Sequence, residues 1–237
     1  MPSVRKAKDP VVLSYLALRK AVGIIAFALP FAVSIPVLVH FHCIQPSISG
    51  YYYTCTRNVL VGALCAVAMF LLACRGYDHI DRWAGTFAAV CALGVAFFPT
   101  SPEFCSTDLC HPNCVPSFNT APFHFTFAAL LFLTLAFFCL ALFTRTGPEK
   151  QMTARKRQRN KVYIICGIVI LVSVALIPLF HFFPNSWPLP IPYNFFFETT
   201  ALLAFGIAWM VKGELVLGDP EPERTRSITT DRLPLHD

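Results

Sequence analysis

The chain has 237 residues, of which 56% are hydrophobic and only 14% charged, with a net charge of +6. A soluble domain carries about a quarter charged residues. Here the apolar residues come in long blocks, which excludes a soluble globular fold and points to a multi-span membrane protein. The positive balance does not indicate nucleic acid, because the basic residues lie between the apolar blocks, where orientation in a membrane requires them.

Taken in chain order, residues 1–20 form a basic N-terminal segment with Arg5, Lys6, Lys8, Arg19 and Lys20. Six apolar blocks follow, at about 21–41, 58–75, 83–100, 123–144, 162–183 and 195–212. Each is near the 20 residues, roughly, that a helix needs to cross a bilayer. Helix is the form expected, since every span must satisfy its own backbone hydrogen bonds in lipid. The first block is too long for a signal peptide, and no small-residue cleavage site follows it. The expected fold is therefore all-α, a bundle of six transmembrane helices over 21–212 with a polar, disordered tail over 213–237.

Charge sets the expected orientation. Eighteen of the 19 Lys and Arg residues fall on one side: the N-terminal segment, the short link with Arg75 and Arg82, the stretch "RTGPEKQMTARKRQRNK" over 145–161, and the tail. The positive-inside rule makes that side cytoplasmic, with both termini inside. The expected location is the plasma membrane. The basic stretch 145–161 is read as a topology determinant, with anionic-lipid binding as the weaker reading. The loops 42–57, 101–122 and 184–194 then face outward, and Arg57 is the one basic residue among them.

Ten cysteines divide by location. Cys65, Cys74, Cys91, Cys139 and Cys166 fall in spans or at their ends, as small packing residues. Cys43, Cys55, Cys105, Cys110 and Cys114 fall in outer loops, where disulfides form. Cys43 and Cys55 could staple one loop, and the other three could supply a second pair. The segment "CSTDLCHPNC" also admits a metal reading with His111, although its spacing matches no common zinc motif.

The polar residues of the spans gather at the outer ends. His40 and His42 end the first block, Arg57 and Asn58 open the second, His124 opens the fourth, His181 nearly ends the fifth and Glu198 opens the sixth. Ionisable residues in spans usually face the bundle interior and find partners. The pairing expected here is Arg57 with Glu198, with His124 in hydrogen-bond reach of the carboxylate. Tyr51, Tyr52, Tyr53, Trp187 and Tyr193 are read as an interfacial aromatic belt.

Four short stretches resemble the Frag1/DRAM/Sfk1 group of six-span membrane proteins and related uncharacterised bacterial proteins. They are "ISG" before the second block, "RWAG" at the third, "FHFTFAALLF" at the fourth and "FFFETTALLAFGIAW" at the sixth. The resemblance marks Ser49, Gly50, Gly85, His124 and Glu198. It departs near the start of the second span, where that group often has an acidic residue and this chain has Thr54 to Asn58. Roles in the group range from autophagy modulation to lipid-anchor remodelling and plasma-membrane lipid organisation. The resemblance implies a lipid-associated membrane protein without an assigned reaction.

The function expected from these residues is binding of a membrane lipid headgroup, or of a membrane-protein partner, in an outer-leaflet pocket. Its ligand-binding residues would be Ser49, Gly50, Arg57, Asn58, His124 and Glu198, and no cofactor is needed. The alternative is a lipid-modifying enzyme with His124 and Glu198 as acid–base pair. Its metal version would hold zinc through His40, His124, His181 and Glu198. A small transporter, or a subunit of a larger membrane complex, is the second alternative.

Overall fold

The computed structural model describes residues 10–74, 78–102, 118–145, 153–183, 188 and 190–218. Among them are six helices and no strand: α1 (Pro10–Phe41), α2 (Arg57–Ala73), α3 (His79–Phe97), α4 (Ala121–Phe137), α5 (Ala154–Phe182) and α6 (Tyr193–Lys212). A 3₁₀ turn, Ser49–Tyr53, sits between α1 and α2. Five helices are long and apolar enough to cross a membrane, α4 by continuing through a π turn to Leu142; α2, at 17 residues, is the short one. Each helix packs on its neighbours in the chain, and α6 packs on α1, which closes the ring.

Two helices begin well before their apolar blocks. α1 starts at Pro10, so most of the expected N-terminal segment is its first turns. α5 starts at Ala154, so the second half of the basic stretch is helix rather than loop. Arg, Lys and Gln are good helix formers. Thr153 also caps the first turn, its Oγ accepting the Lys156 N–H at 3.1 Å,. The Lys156 ammonium then donates to the Phe143 carbonyl at 2.8 Å, which ties the start of α5 to the end of α4. Residues 219–237, the greater part of the expected tail, lie outside the described residues.

The exterior of the ring is apolar, with Trp83 72% and Phe182 75% exposed. A water-soluble surface does not carry so many large apolar side chains, whereas a lipid-facing one requires them. Inside, α1 and α6 cross at Gly23 and Gly206, where the two backbones touch. A Cβ on Gly206 would lie 2.8 Å from the Phe27 nitrogen and 2.9 Å from the Gly23 carbonyl oxygen. Small residues at a crossing are the usual way for membrane helices to approach closely.

The end of the ring formed by the C-termini of α4 and α6 is packed with aromatic rings. α4 widens there into a π turn over Phe138–Leu142, closed by the Phe143 N–H on the Phe138 carbonyl at 2.9 Å,. The wide turn brings Phe143 to 5.4 Å from Trp209 and 5.3 Å from Tyr163, centroid to centroid. The opposite end is organised by polar contacts instead.

Candidate functional site

At that opposite end the chain between α1 and α2 folds inward. Tyr51 and Tyr53 are 0% and 1% exposed, so they are core residues and not the expected interfacial belt. The Tyr53 hydroxyl donates to the Thr100 carbonyl, and the Tyr51 hydroxyl accepts the Gln45 N–H at 3.3 Å. Burial pushes the Tyr51 phenol up to about 12, so it stays neutral and can accept that bond,. Tyr193 is half-buried, and Trp187 lies outside the described residues.

This folded segment carries Ser49 to His124 at the start of α4. His124 is 3% exposed. Its Nδ1 lies 2.7 Å from the Phe98 carbonyl and its Nε2 lies 2.8 Å from Ser49 Oγ. A carbonyl only accepts, so Nδ1 carries the proton. In the neutral ring, Nε2 is then the acceptor and the Ser49 hydroxyl donates. The segment is held from the other side by α6. Glu198 Oε2 accepts the Ile48 N–H at 2.6 Å, and the Phe195 N–H donates to the Pro46 carbonyl at 3.0 Å.

Ser49, His124 and Glu198 meet at a cavity of about 50 Å³. Its other walls are mostly apolar: Leu29 of α1, Leu60 and Leu64 of α2, Val95 of α3, Leu131 and Phe132 of α4, and Leu202 of α6. Every helix except α5 contributes. The space would hold a few waters, at roughly 10–15 Å³ each. It is a small chamber with one polar end.

Several expected pairings are not formed. No ion pair joins Arg57 to Glu198 among the described residues. Arg57 Nη2 donates to the Tyr52 hydroxyl at 2.5 Å, and its guanidinium stacks 4.2 Å above the same ring. The reason is local: Tyr52 is five residues away and supplies both an acceptor and a π-face, whereas Glu198 is taken by a backbone N–H. Tyr52 also lines the cavity, so Arg57 stands behind one wall of it. No hydrogen bond joins His124 to Glu198 either; His124 is satisfied by Phe98 and Ser49.

Asn58 is exposed on the outside of α2 and takes no part. Gly50 is buried, with its N–H donating to Ser47 Oγ at 3.0 Å. Gly85 packs in α3 against α2, where a Cβ would lie 3.2 Å from the Leu71 carbonyl. His40 and His181 are exposed, and His181 lies against the Tyr193 hydroxyl at 3.5 Å. Among the described residues no three His, Cys, Asp or Glu side chains come together as a metal would need, so the zinc set His40, His124, His181 and Glu198 is not assembled.

Cys55 is an exposed free thiol, so the staple between Cys43 and Cys55 is not formed, and Cys43 is not among the free thiols. Cys105, Cys110, Cys114 and His111 lie outside the described residues. Of the span cysteines, Cys91, Cys139 and Cys166 are buried, as packing residues should be. No family model, no curated protein and no solved structure matches the chain.

Proposed function

We propose that this is a six-span membrane protein, both termini cytoplasmic, that binds a membrane lipid at the outer ends of its helices, with the small cavity there taking in only the ester end of the lipid and the first carbons of its chain. One observation carries the reading. Leu60, Leu64, Leu131, Phe132 and Leu202 line the same small chamber as Ser49, His124 and Glu198, which suits an apolar chain joined to a polar group,. Arg57 adds a cation beside the chamber through Tyr52, where an anionic headgroup would find it,. The orientation is argued from the placement of Lys and Arg. α2 completes the count, its 17 residues lying at the short end of the roughly 17–25 that a span needs,.

Cys55 offers a direct check of the orientation, because it is free and exposed beside Arg57. A membrane-impermeant maleimide applied to intact cells is expected to modify Cys55, with the adduct lost in Cys55→Ser. Modification of Cys55 only after the membrane is opened would reverse the assigned sides.

Lipid binding is tested by photocrosslinking. A phospholipid with a diazirine in its acyl chain is expected to react with peptides that carry Ile48–Leu64 and His124–Phe132. Adducts confined to the outward-facing residues Trp83, Phe87 and Leu133 would mean only surrounding bilayer lipid, and no bound one.

A further inference from the structure

The lipid-binding reading makes no use of the bond between the Ser49 hydroxyl and His124. We propose that the two form a nucleophile–base pair, and that the cavity cleaves a carboxylic ester of the lipid it holds. The choice of a lipid ester rests on the binding reading; the reactivity of the pair does not.

A serine hydroxyl is a weak nucleophile until a base sits within hydrogen-bond reach and a third group orients that base. Ser49 Oγ lies 2.8 Å from His124 Nε2. The Phe98 carbonyl holds Nδ1–H at 2.7 Å, which leaves Nε2 to take the proton. The serine is held as firmly as the base. The preceding N–H, of Ile48, lies on Glu198, and the following one, of Gly50, lies on Ser47. Ser49 also opens the turn that Tyr51 and Tyr53 bury. Both reacting side chains line the cavity, so their bond borders space that a substrate carbonyl can enter. A bond serving only to join the turn to α4 would not need to face that space.

The step balances without any further cofactor. Ser49 Oγ attacks the ester carbonyl carbon while its proton passes to His124 Nε2. The tetrahedral species collapses, the C–O bond to the alcohol breaks, and Nε2 returns the proton to the leaving alcohol oxygen. Water then attacks the acyl–Ser49 ester, giving its proton to Nε2. The carboxylic acid leaves and Ser49 regains its hydroxyl hydrogen. Glu198, through Ile48, positions the serine backbone and touches none of the reacting atoms in this scheme.

A small alkyl fluorophosphonate tests the pair on the full-length purified protein, because its phosphorus stands in for the ester carbonyl and fluoride is the leaving group. One phosphonyl adduct per chain, mapped to Ser49, is expected. Ser49→Ala should give none, and His124→Gln should slow labelling by about 100-fold, the usual scale of general-base assistance. Unfolding temperatures of both variants, measured alongside, confirm that folded protein is being compared. No adduct on folded wild type, or an adduct retained in Ser49→Ala, would overturn the proposal. The probe does not require the lipid to bind, so labelling without lipid crosslinks would remove the lipid reading and keep the pair. Crosslinks without labelling would do the reverse.

Discussion

Gly206→Leu is expected to lower stability by about 3 kcal/mol or more. Overpacking a membrane or soluble core costs roughly 1–3 kcal/mol where side chains can yield. Here they cannot, because the atoms facing the new Cβ are the backbone of α1: the Phe27 nitrogen at 2.8 Å and the Gly23 oxygen at 2.9 Å. α1 would have to move away from α6 and open the ring. Gly62 in α2 is the control, since a Cβ there meets nothing within 4 Å. Gly62→Ala should be neutral or stabilising by up to about 1 kcal/mol, the helix-propensity difference. Thermal unfolding of the two variants in one detergent checks both, and equal effects would contradict the close crossing.

His124→Leu is expected to cost about 2–4 kcal/mol. The substitution leaves the Phe98 carbonyl and the Ser49 hydroxyl without their partner. A buried polar group left unpaired costs about 1–3 kcal/mol. Glutamine can restore one of the two bonds, so His124→Gln should lose roughly half as much. The same unfolding measurement separates them, and leucine no worse than glutamine would mean that these bonds do not stabilise the fold. Glu198→Gln should be milder than Glu198→Ala by the same reasoning, since the amide oxygen can still accept the Ile48 N–H.

The helices were legible in the sequence because length and apolarity decide them. The start of α5 was not, because "ARKRQRNK" reads as a charged loop by composition while its residues are good helix formers behind the Thr153 cap. His124 and Glu198 stood out as polar residues at helix ends and Ser49 only through the resemblance, and the three meet around one cavity. Their partners were not readable. Glu198 takes the Ile48 N–H and His124 takes the Phe98 carbonyl, and every residue has such groups. Charge counting paired Arg57 with Glu198, the only opposite charge at that depth, and so overlooked the neutral ring of Tyr52. The three tyrosines show the same limit. Adjacent in sequence, Tyr51 and Tyr53 go into the core and Tyr52 turns to Arg57, because a tight 3₁₀ turn separates them. Gln45 gave no signal either, although its side chain is 0% exposed beneath that turn.

The central claim is that the cavity between the polar end and the apolar walls takes in part of a bound lipid. Ala128 lines the cavity on α4, and Ala128→Leu adds volume there without removing any polar contact. Crosslinking with the diazirine phospholipid should mark Ile48–Leu64 and His124–Phe132 in the wild type and fall several-fold in Ala128→Leu, while adducts at Trp83 and Phe87 stay constant. Equal yields at the cavity peptides in folded wild type and folded Ala128→Leu would contradict it.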